Sequence, residues 1–124
     1  MHGLITEING RRVLPVRVPK NASRSVCVAL GLAEYGRHRT PAEIQEIIGR
    51  DLWNECITLA VIRHPLARIV SWYDYHTKTE QRINLSFAEW ILQGMPLHSN
   101  WQGRPNPLMQ FHWIAGCSHI LRME

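Results

Sequence analysis

The feature that most constrains this chain is the run Ile57-Thr58-Leu59-Ala60-Val61-Ile62, apolar except for one threonine and rich in β-branched side chains. A strand exposed on one face would alternate apolar with polar residues. This run does not alternate, so it reads as a strand covered on both faces, at the centre of a parallel sheet. Pro65 follows three residues later, and Leu66, Ile69, Val70 and Tyr73 then fall on one face of a helix.

The same strand, polar turn and helix pattern occurs upstream. Leu4 to Ile8 and Val13 to Val18 are β-prone stretches joined at Asn9-Gly10, the dipeptide of a tight hairpin. After PKNAS, Val26, Ala29, Leu30 and Ala33 recur at helical spacing until Gly36 supplies a stop. Thr40-Pro41-Ala42-Glu43 joins an N-cap, a proline at the first helical position and a capping-box glutamate, ahead of Ile44, Ile47 and Ile48. That helix should end near Gly49. Ser86 and Glu89 repeat the capping box before Trp90 and Ile91, and 94–107 is a loop rich in Gly, Pro and Asn. The tail from Met109 predicts a short helix and then a strand at His119 to Met123. Strands alternating with helices imply an α/β domain with a mostly parallel sheet and flanking helices, in which ligands collect at the carboxyl ends of the strands.

With 124 residues there is room for one domain, spanning 1–124, and one core. At 45% hydrophobic and 19% charged residues, the composition is that of a globular chain and excludes disorder. No apolar run nears the roughly 20 residues that span a bilayer, and 1–12 lacks the apolar stretch of a signal peptide, so the chain reads as soluble and cytoplasmic. Cys27, Cys56 and Cys117 are odd in number and contain no CxxC pair, which suggests reduced core thiols and neither a disulfide framework nor a metal site. The five tryptophans read mainly as core and loop packing. The formal charge of +4 favours an anionic partner, but the basic residues form no long run interleaved with aromatics, so discrete anion contacts fit better than a nucleic-acid groove.

Two polar turns are placed to make such contacts. The first reads Arg17-Val18-Pro19-Lys20-Asn21-Ala22-Ser23-Arg24-Ser25-Val26. A turn between strand and helix offers free backbone N–H groups to an anion, Lys20 adds a charge, and Ser23 and Ser25 add hydroxyls. The Walker sequence GxxxxGK[ST] is absent, and the lysine precedes the loop, which argues against an ATPase or nucleotide kinase. The second turn reads Val61-Ile62-Arg63-His64-Pro65-Leu66-Ala67-Arg68-Ile69-Val70-Ser71-Trp72-Tyr73. The planar fork of an arginine at a strand end suits a phosphate.

PKNASRSV resembles the 5′-phosphosulfate loop of sulfotransferases that use 3′-phosphoadenosine 5′-phosphosulfate (PAPS), particularly the PKTASTSF-like form of carbohydrate sulfotransferases. The second turn is similar to the family's 3′-phosphate segment, approximately VRNPYDRLVSxY. Three departures stand out: Arg24 at a small hydroxyl position, His64 for asparagine, and Ala67 for aspartate. The resemblance runs from about Val13 to Tyr73, and HILRME is more weakly like the family's IGRFE-type strand.

The resemblance implies a sulfotransferase core of the P-loop nucleotide-hydrolase type. It implies PAPS as co-substrate, no metal, and transfer of a sulfuryl group to a hydroxyl or amine acceptor, with the loop form leaning towards a carbohydrate. Pro19, Lys20, Asn21, Ala22, Ser23, Arg24 and Ser25 would hold the phosphosulfate, Arg63 and Ser71 the 3′-phosphate, and Arg68 would be secondary. Lys20 would also be catalytic. His38 lies between the two segments, where the family often places a general base, with Glu34 as its rival and His64 and His112 as weaker ones. The alternative is a non-catalytic fragment or remnant that retains an anion-binding fold. Family members usually continue past the position of Glu124, so the resemblance also implies an incomplete domain prone to self-association. Asn21-Ala22-Ser23 and Asn84-Leu85-Ser86 match the glycosylation sequon and read as chance.

Overall fold

A computed structural model describes residues 3–21, 23–32, 38–98 and 101–123, with only the backbone at Ser23 and Arg24. Strands β1 (Thr6–Ile8) and β2 (Arg11–Pro15) pair antiparallel. The hairpin closes where expected, since Asn9 and Gly10 both have positive φ (50° and 77°), as a right-twisted two-residue turn requires. Next come α1 (Ser23–Ala29), α2 (Pro41–Ile48), α3 (Arg50–Glu55), β3 (Ile57–Ile62) and α4 (Pro65–Asp74). Helix α4 runs into a π-helical turn, Tyr75–Thr79, before α5 (Phe87–Leu92), α6 (Phe111–Ile114) and β4 (His119–Arg122). The sheet order is β1-β2-β3-β4, with β2, β3 and β4 parallel, so the architecture is α/β with flanking helices.

The apolar run is the inner strand β3, as its pattern demands. Its one polar residue, Thr58, is buried, and its Oγ1 accepts the Ser118 N–H at 2.7 Å, which ties the approach to β4 against the middle of the sheet. On this face Leu14, Val16, Val18 and Ala60 pack with Ile44 of α2, Trp53 of α3 and Trp113 of α6 in the main core. The other face carries Leu59 and Val61, half-buried towards Val26 of α1, so β3 is less completely covered there than an unbroken apolar run suggests.

Strand β2 stops short of the predicted Val18. Val16 still donates to Leu59 O at 2.7 Å, but the Val18 N–H turns back to Val16 O at 3.1 Å and Pro19 has no N–H to offer. The chain therefore bends out of the sheet just before Lys20. Helix α1 ends at Ala29, earlier than the periodicity to Ala33 suggests, and Gly36 lies outside the described residues.

Both capping boxes form. Thr40 Oγ1 accepts from Glu43 N and Glu43 Oε1 accepts from Thr40 N, and Ser86 and Glu89 repeat the exchange. Helix α3 was not anticipated: its six residues have no side-chain cap, and burial of Trp53 holds it in place. Residues 94–98 and 101–107 contain no strand or α-helix, as their composition suggests. Four of the five tryptophans are buried, and Cys27, Cys56 and Cys117 form no disulfide with one another. Strand β4 lies at the sheet edge with Ile120 and Leu121 exposed on opposite faces. Among the described residues no helix is long and apolar enough to cross a membrane.

Candidate anion-binding site

Parallel strands β2 and β3 both point their carboxyl ends at the same edge of the sheet, and this brings the two polar turns together. Arg63 is the first residue beyond β3. His64 then caps α4, its Nδ1 accepting the Leu66 N–H at 3.2 Å. With Pro65 in the first turn, α4 starts abruptly and carries Ser71 two turns along, on the side facing Arg63. Across from it the turn after β2 places Lys20, whose backbone adopts positive φ (59°).

Lys20, Arg63 and Ser71 line one open cleft of about 730 Å³. Leu66, Ala67 and Val70 of α4 add an apolar wall, and the π-helical turn adds Tyr75, Lys78 and Thr79. Asp74 is the only acid among the described residues that line it, and Lys78 sits 3.7 Å from its carboxylate. Three cations against one carboxylate, with hydroxyls from Ser71 and Thr79, make a cleft suited to an anion carrying more than one charge. Burial, and then the neighbouring Arg63 charge, hold the Lys20 ammonium below its ordinary pKa.

A buried polar cluster beneath the cleft fixes its shape. Arg68 is 1% exposed and donates through Nε to Asn21 Oδ1 (2.8 Å), through Nη1 to Leu108 O (2.8 Å), and through Nη2 to Pro19 O (2.9 Å) and Pro107 O (2.5 Å). Burial, then the charge of Arg63, pulls its pKa down to about 10, which leaves it charged at neutral pH. Asn21 is equally buried, and its amide donates to Val61 O (2.7 Å) and Gln110 Oε1 (2.9 Å). Gln110 closes the cluster by accepting from Arg63 N (3.0 Å) and donating to Arg63 O (2.8 Å). Asn21 and Arg68 thus turn their side chains inward and hold the backbone of both turns. Pro19 serves the same cluster through its carbonyl.

Ser25 is exposed near the start of α1. Ala22, the side chains of Ser23 and Arg24, and Glu34 lie outside what the structure describes. His38 is not among the residues that line the cleft. Its Nδ1 donates to Arg17 O at 2.8 Å, which leaves Nε2 as the basic nitrogen of the neutral ring. Burial lowers its pKa first, then the charges of Arg17, Arg104 and Lys20, against the opposing effect of the Arg17 hydrogen bond. Arg104 anchors the local chain, donating through Nη2 to His38 O at 2.7 Å and pairing with Glu43 at 3.2 Å. His112 lies on α6, its ring tilted 37° against Phe111 with centroids 3.9 Å apart, and is not among the residues that line the cleft.

Sequence reasoning missed the wall built by Tyr75, Lys78 and Thr79, and it missed Gln110. A signal existed for Lys78, because Lys20 and Lys78 are the only lysines in the chain and both line this cleft. None existed for Gln110, which sits in a stretch without periodicity. Among the described residues no group of three or more His, Cys, Asp or Glu is placed to hold a metal. No protein family matches the chain, and neither does any curated protein or solved structure.

Proposed function

We propose that this chain is a PAPS-dependent sulfotransferase core that binds the nucleotide in the cleft between the turn after β2 and helix α4. The observation that carries this reading is the convergence of Lys20, Arg63 and Ser71, from segments more than forty residues apart, on one cationic cleft. Arg63 and Ser71 take the 3′-phosphate. Lys20 takes the 5′-phosphosulfate, where its ammonium offsets the charge that builds on the bridging oxygen as the S–O bond breaks. The apolar wall of Leu66, Ala67 and Val70 gives a base or ribose a surface to lie on.

The acceptor, a hydroxyl or amine and by the loop form a carbohydrate, attacks sulfur in line. Its proton leaves to a base, and adenosine 3′,5′-bisphosphate departs. His38 is the proposed base, since burial and its cationic neighbours favour the neutral ring that can accept a proton. Transfer of labelled sulfate from PAPS to a panel of saccharide, phenol and amine acceptors tests the reading. Incorporation that depends on Lys20 supports it, whereas nucleotide binding without incorporation into any acceptor selects the second reading.

That second reading is an anion-binding domain without turnover. It is favoured by the position of His38, which lies outside the residues lining the cleft and is tied to the Arg17 carbonyl.

A further inference from the structure

The Lys20 ammonium lies 4.1 Å from the centroid of the Tyr75 ring, over its face. Two influences work against a fixed charge at this place, the loss of solvent and the nearby Arg63. The negative face of an aromatic ring offsets both. The ring is itself held. Tyr75 donates its hydroxyl proton to Glu80 Oε1 at 2.8 Å, and its carbonyl accepts the Glu80 N–H at 3.0 Å, five residues on, which is the bond that widens the helix into a π turn. Tyr75 is the first residue of that turn and lines the cleft with Lys20.

We propose that Tyr75 is a positioning residue for Lys20, a shelf that keeps the ammonium in the cleft both before and after an anion binds. The inference rests on the anion-binding reading of the cleft. An ammonium has three donors, and one side of it resting on a ring leaves the other side open to a phosphate oxygen. Lysine otherwise surrenders considerable rotamer freedom when it is immobilised, and a shelf removes part of that loss before the ligand arrives. Losing it should therefore weaken anion binding about two- to fivefold, the range of an exposed cation–π contact.

Because the chain has only two lysines, a protein carrying [13C]lysine gives two side-chain Cε–Hε signals, and Lys20→Arg identifies one of them. The expected result is a Lys20 signal shifted upfield by the Tyr75 ring current, which stays upfield when inorganic pyrophosphate saturates the cleft. Tyr75→Leu should abolish the shift and weaken pyrophosphate by the stated factor, while Tyr75→Phe retains both. An unshifted Lys20 in the free protein, loss of the shift on binding, or unchanged affinity in Tyr75→Leu overturns the proposal. Equal damage in the Phe and Leu variants also overturns it, since the role would then belong to the Glu80 hydrogen bond. Failure to bind pyrophosphate overturns the shelf together with the anion cleft. Pyrophosphate binding without preference for adenosine 3′,5′-bisphosphate over ATP overturns the assigned function alone and leaves the shelf standing.

Discussion

Arg68 Nε donates to Asn21 Oδ1 across 2.8 Å, and this bond joins the turn after β2 to the buried side of α4. The two residues stand 47 positions apart, one in each of the segments that form the cleft. Neither faces solvent: both are 1% exposed. Among the described residues no carboxylate pairs with this buried guanidinium, and the carbonyls of Pro19, Pro107 and Leu108 solvate it as protein dipoles.

Replacing Arg68 with methionine keeps much of the volume but strands those acceptors, at a cost of roughly 2–4 kcal/mol in stability. Urea denaturation should show the loss. Lysine should recover little of it, because one ammonium cannot reproduce the planar fork that reaches several acceptors at once. A stable Arg68→Met protein would mean that the cluster does not hold the turns together.

Lys20→Ala should damage turnover more than product binding. In the proposed transfer its charge would matter most as negative charge accumulates on the leaving phosphate, and adenosine 3′,5′-bisphosphate would already be the product. Comparing kcat with the affinity for that product checks this. Equal losses in both would make Lys20 an ordinary binding residue.

Stability should decline as the pH falls below about 6.5. His76 is buried, stacked on Trp72 at 4.1 Å with Nδ1 bonded to Trp72 O, and burial lowers its pKa, as it does for His38 and His98. Unfolding returns each ring to its ordinary 6.5, so just below that pH the unfolded chain binds more protons than the folded one. The slope is positive there and flattens at higher pH. The urea midpoint should thus be higher at about pH 7.5 than at about pH 5.5, and His76→Phe should shrink the difference. Near His76 the charges of His98 and Lys20 deepen the effect and Glu80 opposes it. A midpoint flat across that range would show that these rings titrate alike in both states.

Strand β4 leaves Ile120 and Leu121 exposed on opposite faces of an open sheet edge, the arrangement that invites pairing with another chain. Light scattering should find the isolated chain self-associated, and Leu121→Lys should shift it towards monomer. A wild-type monomer at high concentration would contradict this.

Much of the fold was legible because the decisive signals are local. The unbroken run at Ile57 to Ile62, Asn9-Gly10, and the Thr40/Glu43 and Ser86/Glu89 capping boxes each state their own structure through short-range chemistry. Helix α3 was not legible, since tertiary contacts hold it, among them burial of Trp53 and the Arg12–Glu55 ion pair. The candidate site divides the same way. Lys20, Arg63 and Ser71 stand in recognisable segments, and parallel pairing of β2 with β3 brings those segments together. Asn21 and Arg68 lie in the same segments, but which way a side chain turns depends on Gln110, Pro107 and Leu108, contributed by a distant loop without periodicity. The Tyr75 to Thr79 wall depends on a π turn, which helical spacing alone does not announce.

The central claim is that Arg63 and Ser71 recognise a 3′-phosphate, and calorimetry with adenosine 3′,5′-bisphosphate and ATP tests it most directly. The bisphosphate should bind more tightly than ATP, which lacks that group, and Arg63→Ala should remove about 1.5–3 kcal/mol of the bisphosphate affinity while leaving ATP nearly unaffected. Equal affinity for the two nucleotides in the wild-type protein, or an Arg63→Ala variant that binds the bisphosphate as tightly as before, would contradict the account.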